Sequence, residues 1–387
     1  MDDRVFFEGL AAEATICAYC GYCRSVCPTY DGVGWESCSP RGRIQLTRLL
    51  LEGNRLSADQ MKRLYQCTLC GHCTQACSTH IDLRRFWLSA RAETVTHGLA
   101  PNGLGAAADN VAGTGNVYGY PNAERAGWAE YMKDAPPDLY QRDRAGVVYF
   151  VGCSSSFSPR AQRIAEAFVR VMTAAGVDFS ILGEGELCCG FPLLAAGMRD
   201  RAEVLVERNL ARFRSVGAAT AVFTCPACRM MWLEGYASHL PGVRMLHSTE
   251  LLVELAAAGR IPLKGLFKEV TYHDPCDLAR NGGVYEPPRQ LLAAIPGLRF
   301  REAHERREHG LCCGGGGDLE MVDSALVGRV AARTVAKLEA TGAQTIVTAC
   351  PQCVRTLTRG LEEGAPGIEV LDIVELVAGA LDLQARP

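Results

Sequence analysis

The strongest constraint on this chain is a cysteine pattern that occurs twice. Cys153, Cys188-Cys189-Gly190 and Cys225-Pro-Ala-Cys228 recur as Cys276, Cys312-Cys313-Gly314 and Cys350-Pro-Gln-Cys353. The spacers are 34 residues in the first copy and 35 in the second, and the copies are offset by 123 to 125 residues. Ten cysteines at matched intervals record an internal duplication, so whatever unit the first copy folds into, the second repeats.

The residues between the cysteines indicate what that unit is. An apolar run over 147–151 leads to Cys153, and Ser158-Pro159 opens a helix carrying Ile164, Phe168, Val171, Met172 and Ala175 on one face. A strand is predicted over 177–182, a helix over 199–216 and a strand over 218–224 that ends at Cys225. The second copy repeats the order, with a strand entering Cys276, strands over 298–302 and 345–348, and a long helix to Thr341. Strands alternating with helices imply parallel sheets, and such sheets gather ligands outside the carboxyl ends of their strands. Gly190 and Gly314 permit the tight turn that two adjacent cysteines need to face one site. The run Gly314 to Gly317 is expected to leave open space beside that site.

The amino-terminal part carries Cys17-x2-Cys20-x2-Cys23-x3-Cys27 and Cys67-x2-Cys70-x2-Cys73-x3-Cys77. This is the bacterial two-cluster ferredoxin spacing, in which the fourth cysteine of each run ligates the other cluster. On that rule Cys17, Cys20, Cys23 and Cys77 hold one [4Fe–4S] cubane, and Cys67, Cys70, Cys73 and Cys27 hold a second. Structural zinc is the competing reading, but zinc takes four ligands and has no use for a third cysteine at the same interval in both runs. Ser78 stands where a proline is usual. Cys38 is the one cysteine of nineteen outside both patterns, and it reads as a small apolar residue.

Composition narrows the class. Disulfides suit small secreted domains, whereas this sequence has 387 residues and opens on MDDRVFFEGLAAEA, which lacks the basic and apolar regions of a secretory signal. The formal net charge of −3 supplies no basic field for nucleic acid. No apolar run reaches the length of about 18 residues that suggests a membrane span. A cytoplasmic protein is expected, peripheral to the inner membrane only through a partner.

The duplicated pattern resembles the CCG domains of the catalytic subunit of heterodisulfide reductase, over residues 146 to 365. The resemblance implies a non-cubane [4Fe–4S] cluster in each copy, one held by Cys153, Cys188, Cys189, Cys225 and Cys228, the other by Cys276, Cys312, Cys313, Cys350 and Cys353. It makes these ten cysteines the catalytic set and Gly190, Gly314 and Gly315 cofactor-binding. A ferredoxin-type part followed by two CCG domains on one chain resembles the fused, D-type form of that subunit. The implied fold is an α+β, ferredoxin-like helical cluster domain (1–90), a linker or helical connection (91–145) and two duplicated α/β, Rossmann-like CCG domains with parallel sheets (146–265 and 266–387). The implied function is passage of electrons through two cubanes to two non-cubane clusters that reduce or form a thiol-cofactor disulfide. The alternative is an electron-transfer subunit of a flavin-dependent hydroxyacid dehydrogenase or of a benzoyl-CoA reductase-type complex, without disulfide turnover. Neither a flavin nor an NAD site is expected in this chain, so a flavin- or haem-containing partner subunit is implied, beside a small thiol or disulfide substrate.

Several local expectations remain. Residues 1–15 read as an amphipathic lead-in with Val5, Phe6, Leu10 and Ala14 on one face. Residues 38–53 read as a helix whose Arg41 and Arg43 either dock on an anionic cluster or a partner, or stay solvated. Residues 101–120 read as a long connection, in which the Gly113-Thr-Gly115 stretch lacks the strand context of a dinucleotide loop, and 134–143 as a linker. The two CxxC runs also suit a thioredoxin-type dithiol at a helix start. His273 and Asp274 either supply a proton to a departing thiolate or hold neighbouring residues.

Overall fold

The computed structural model describes residues 9–132, 135–136, 138–140, 142, 144–362 and 367–382. Before Val147 these residues form helices and turns. Leu10–Thr15 buries Leu10 and Ala14, while Val5 and Phe6 of the same lead-in, and part of the 134–143 linker, lie outside the described residues. The helix predicted after residue 38 runs Pro40–Leu51, started by Ser39, whose hydroxyl accepts from the Gly42 amide. Two short helices, Tyr22–Ser25 and His72–Gln75, each carry the third cysteine of one run and pack on each other. That pairing brings the two runs face to face.

The connection expected over 101–120 is instead largely a helix, Asn102–Thr114. Leu104, Ala107, Ala108 and Val111 are buried at helical spacing, and this burial outweighs the cost of three glycines, each about 1 kcal/mol against alanine. Gly103 is small for a reason: a Cβ there would stand 2.7 Å from the Met321 carbonyl oxygen.

Two four-stranded, wholly parallel sheets follow. The first contains β1 (Val147–Phe150), β2 (Phe179–Ile181), β3 (Thr220–Phe223) and β4 (Arg244–His247), in the order β2-β1-β3-β4. The second contains β5 (Glu269–Tyr272), β6 (Arg299–Arg301), β7 (Thr345–Thr348) and β8 (Glu369–Asp372), in the order β6-β5-β7-β8. The α/β duplication is therefore a duplication of whole sheets. In each, the chain leaves the first strand toward one side and returns on the other, which opens a crevice at the strands' carboxyl ends. The edge strands β4 and β8 carry no cysteine and are only half-buried. Each ends in a capping box that starts the next helix, His247 with Glu250 and Asp372 with Glu375.

The copies share one apolar core. Helix Pro159–Ala174 packs on Ile373–Gly379, and Ser248–Ala257 packs on Glu286–Ala294. Phe168, Leu252, Leu292 and Val374 belong to one continuous buried cluster. This shared core fixes the two crevices relative to each other.

Candidate metal centre

The cysteines of the duplication sit on the segments that leave the strands' carboxyl ends, with Cys228 and Cys353 in the first turn of the helices after β3 and β7. Cys153 follows β1 in the first turn of helix Gly152–Phe157, Cys188 and Cys189 follow β2, and Cys225 starts helix Pro226–Met231 after β3. Cys276, Cys312, Cys313 and Cys350 repeat this after β5, β6 and β7. The turn after each cysteine pair is made as expected, with φ of 98° at Gly190 and 94° at Gly314.

Sulfur meets sulfur in sequence through each copy: Cys153 with Cys188, Cys188 with Cys189, Cys189 with Cys228, and Cys228 with Cys225. In the second copy Cys276 meets Cys312, Cys312 meets Cys313, Cys313 lies 3.3 Å from Cys353, and Cys353 meets Cys350. The two sets then join, because Cys225 contacts Cys350. One cavity of about 360 Å³ is lined by all five first-copy cysteines and by Cys276, Cys313, Cys350 and Cys353. Such packed thiols cannot ionise independently. Contacts with Cys312 and Cys353 draw Cys313 well below the ordinary thiol range, while contacts with Cys189 and Cys225, together with burial, hold Cys228 well above it. Thiolates this close repel one another unless cations stand among them, and metal binding would deprotonate the set together. The contact of Cys225 with Cys350 removes the simple dithiol reading, since each CxxC run leans on the other copy.

The glycine run is not open space. A Cβ on Gly315 would stand 2.2 Å from Thr356 Oγ1, on Gly316 2.8 Å from the Thr68 carbonyl oxygen, and on Gly317 2.5 Å from that of Cys67. The glycines let the second-copy loop press against the ferredoxin-type cysteine run while still forming one wall of the cavity.

That run makes its own pocket. Cys27, Cys67, Cys70 and Cys73 line a small internal space together with Arg43 and Trp87, the grouping expected from the spacing rule. The Trp87 indole N–H has no nitrogen or oxygen partner and sits beside Cys73. Of the other group, Cys20 is exposed, Cys17 and Cys77 are half-buried and Cys23 is buried. Burial raises the Cys23 thiol to about 11. Cys20 Sγ lies 3.2 Å from Ser78 Oγ, so the serine next to Cys77 reaches a sulfur of the opposite run. A hydroxyl donating to a cluster thiolate stabilises the added electron. Ser78→Ala is therefore expected to lower the midpoint potential of the most exposed centre, read by a redox titration followed by paramagnetic resonance.

Cys38 is fully buried and touches no other cysteine among the described contacts. Arg63 Nη1 approaches its sulfur at 3.1 Å and Gln66 Oε1 lies 3.4 Å from it. Cys38→Ala is expected to keep the full iron complement and to cost about 1 kcal/mol, the price of a methyl-sized void. Iron analysis and a denaturant melt check the two halves of that statement.

The arginines give a separate test of whether these residues fit an anionic group. Arg43, Arg91 and Arg125 are almost wholly buried. Arg43 Nη1 lies 3.9 Å from Cys27 Sγ, and its remaining bonds go to Thr29 and the carbonyls of Arg63 and Gln66. The solvated reading of residue 43 is thus overturned, while Arg41 stays half-exposed on Glu36 and the Tyr19 carbonyl. Arg91 donates to the carbonyls of Tyr65, Cys67, Ala195 and Gly317. Arg125 pairs with buried Glu186 at 2.9 Å and approaches Cys153 Sγ at 3.7 Å. Burying a guanidinium without a carboxylate costs several kcal/mol. Arg43 and Arg91 have no bonded carboxylate among the described residues, and ionised cysteine sulfurs around an iron–sulfur assembly would supply the missing charge. Sequence reading missed Arg91 and Arg125. The signal for Arg91 was its place directly after Phe86-Trp87-Leu88-Ser89-Ala90, a run apolar but for Ser89 and longer than one helical turn.

The two cysteine groups touch at one point. Cys70 contacts Cys312, and Arg280 Nη1 donates to the Cys70 carbonyl at 3.0 Å. His273 stands nearby with both ring nitrogens occupied, by Thr348 Oγ1 at 3.1 Å and the Leu311 carbonyl at 3.0 Å. Burial lowers it to about 4. Asp274 is held by Arg289 and the Arg307 amide. Both are structural, and neither faces the cavity.

Comparison with known proteins agrees with this geometry. The cysteine-rich CCG domain matches residues 147–232 and 270–358, and the 4Fe–4S dicluster domain matches 13–81. The D-type subunit of the dihydromethanophenazine:CoB–CoM heterodisulfide reductase of Methanosarcina acetivorans is 33% identical, across 97% of this chain and 95% of its own length. EtfAB:quinone oxidoreductase of Syntrophomonas wolfei is 30% identical, across 82% of this chain and 46% of its own. A hypothetical protein from Helicobacter pylori shares the fold, with a TM-score of 0.61 at 9% identity, over 88% of this chain and 67% of that one. Two complete cysteine-rich units behind a dicluster unit, matched end to end by the Methanosarcina protein, place this chain in the D-type heterodisulfide reductase family of iron–sulfur oxidoreductase subunits.

Proposed function

We propose that the chain reduces, or in reverse forms, the disulfide of a thiol cofactor in the cavity between the two copies. One observation carries this reading: nine of the ten cysteines of the two copies line a single space of about 360 Å³, and the copies touch at Cys225 and Cys350. A disulfide has two sulfurs, and a site with two facing halves offers each sulfur its own half. Cys17, Cys20, Cys23 and Cys77 would hold one cubane, Cys67, Cys70, Cys73 and Cys27 a second, and each five-cysteine set a non-cubane cluster. When bound, these groups supply single electrons and sites for sulfur.

The chain's own residues set the order of the path. Exposed Cys20 marks the entrance, and the contact of Cys70 with Cys312 leads inward to the second copy. The contact of Cys225 with Cys350 then joins the second copy to the first. No flavin or NAD site was expected in the sequence, so electrons enter at the Cys20 end from a flavin- or haem-bearing partner. Any membrane association comes through that partner. Among the described residues no helix is long and apolar enough to cross a membrane.

The relative named EtfAB:quinone oxidoreductase supports a second reading, in which this chain only relays electrons. Protein prepared without oxygen separates the two. Iron and acid-labile sulfide are expected at about 16 irons per chain, four clusters of four, and a low-potential dye is expected to drive turnover of a cofactor disulfide. Fully loaded protein that neither turns over a disulfide nor changes its paramagnetic signal with thiol would favour the relay.

A further inference from the structure

The two ferredoxin-type cysteine runs have the same backbone and opposite surroundings. Tyr19 and Leu69, each just before the second cysteine of its run, are both left-handed, at φ 56° and 54°, and Gly21 and Gly71 follow at 86° and 74°. A positive φ is unfavourable for such bulky residues, so the shared geometry marks one loop built twice. In the second run that loop is covered. Arg280 Nη1 donates to the Cys70 carbonyl at 3.0 Å and Asn281 Nδ2 to the Leu69 carbonyl at 3.4 Å. A Cβ on Gly71 would stand 2.2 Å from Asn281 Oδ1. Cys70 is buried under this cover and meets Cys312, where the path leaves the run.

In the first run the same face is bare. Cys20, the counterpart of Cys70, is exposed. Leu69 is 1% exposed, whereas its counterpart Tyr19 is 42% exposed, and Tyr22, in the place of His72, is 65% exposed. Ile16 and Trp35 extend the patch, Trp35 at 67%. Arginines tie its parts together. Trp35 precedes Glu36, which pairs with Arg24 at 3.2 Å and with Arg41 at 2.8 Å, and Arg41 Nη1 donates to the Tyr19 carbonyl at 3.0 Å. Arg48, which has no carboxylate partner among the described residues, touches the Tyr19 hydroxyl. Three arginines thus stand with one glutamate around an apolar centre, in a chain whose formal net charge is −3.

We propose that the face made by Tyr19, Tyr22 and Trp35 docks the electron-delivering partner, a separate protein whose contact face is apolar at its centre, acidic at its rim and bears a one-electron group. This rests on the path given above, with entry at Cys20. The covered loop hands electrons to the second copy through this face, and the bare loop turns the same face to solvent. Tyr, Trp and Arg are the side chains that most often carry binding energy at protein interfaces, and the arginines select carboxylates and speed encounter. A second copy of this chain would bring the same arginines against these, which opposes pairing. At each encounter the partner is oxidised by one electron and the centre held by Cys17, Cys20, Cys23 and Cys77 is reduced by one. No covalent bond is made or broken.

The probe is reduced flavodoxin, an acidic one-electron flavoprotein, mixed with fully loaded protein while the iron–sulfur absorbance is followed by stopped flow. Reduction of the unmodified protein is expected to slow as salt rises, because salt screens the rim contacts. Tyr22→Ala combined with Trp35→Ala is expected to lower the efficiency about 10-fold or more, the scale of losing interface anchors. Arg48→Glu is expected to lower it and to flatten the salt dependence. These side chains are at least partly exposed, so both variants are expected to keep the iron count and the rate of reduction by a small dye, which needs no docking face. Unchanged flavodoxin reduction in both variants would overturn the proposal, as would no flavodoxin reduction of unmodified protein that accepts electrons from dye. Sedimentation showing that the protein pairs with itself, or binds vesicles of anionic lipid, through these same side chains would also overturn it. No disulfide enters the experiment. Docking as expected in protein that turns over no disulfide would remove the function proposed above and leave this surface standing, and turnover without docking would do the reverse.

Discussion

Cys313→Ala is expected to abolish disulfide turnover while leaving the ferredoxin-type centres able to accept electrons. The choice of Cys313 over its neighbour follows from the contacts. Cys312 touches Cys70, so its loss would also disturb the Cys67–Cys73 pocket. Cys313 faces the cavity and Cys353 at 3.3 Å. Residues that merely support a metal ligand are worth about 10–100-fold, so loss of a ligand itself is expected to cost at least about 100-fold. A low-potential dye should still reduce the cubane signals at the unmodified rate, and iron should fall by one cluster. Retained turnover would move the chemistry out of the second copy. Loss of the cubane signals as well would mean that the two regions do not load independently.

Arg91→Met is expected to be among the most destabilising single changes in the molecule. The guanidinium ties four carbonyls from three regions: Tyr65 and Cys67 of the amino-terminal part, Ala195 of the first copy and Gly317 of the second. Methionine fills similar volume but leaves these acceptors buried and unpaired, at about 1–3 kcal/mol each, so a loss of at least about 4 kcal/mol is expected. Against a total stability of about 5–15 kcal/mol this approaches unfolding. Arg91→Lys keeps the charge without the planar fork and should fall between. Denaturant melts of loaded protein measure both. A melt of Arg91→Met that overlays the unmodified protein would show that the tie carries little.

The cysteine duplication made the fold and most of the candidate site legible in the sequence. It placed the strands because Cys153, Cys225, Cys276 and Cys350 each lie within four residues of a strand's end, and the strand over 345–348 is reproduced as Thr345–Thr348. Where no cysteine marked the chain, reading failed. The edge strands β4 and β8 are four residues long and half-exposed, too short for periodicity to separate them from loops. Helix Asn102–Thr114 was hidden by its glycines, although Leu104, Ala107, Ala108 and Val111 carried the right spacing. The meeting of Cys225 with Cys350 had no local signature at all, because it depends on how two sheets share a core. Arg91 was opaque for a related reason: its partners are backbone carbonyls, which leave no trace in side-chain identity.

The tight fit of Gly316 and Gly317 against Thr68 and Cys67 also bears on how such a molecule is made. All four cysteines of the Cys67 pocket have left the ribosome once residue 73 emerges, but the loop that covers them is some 240 residues further along the chain. Iron and sulfide are therefore expected to reach that pocket more readily before the second sheet docks, since afterwards the Gly316 and Gly317 backbone closes on Thr68 and Cys67. Cluster delivery during synthesis, or to a late intermediate with the second copy still open, is expected to raise the yield of loaded protein. Unloaded chain allowed to finish folding is expected to take up iron at Cys20's exposed site far more readily than at the buried one.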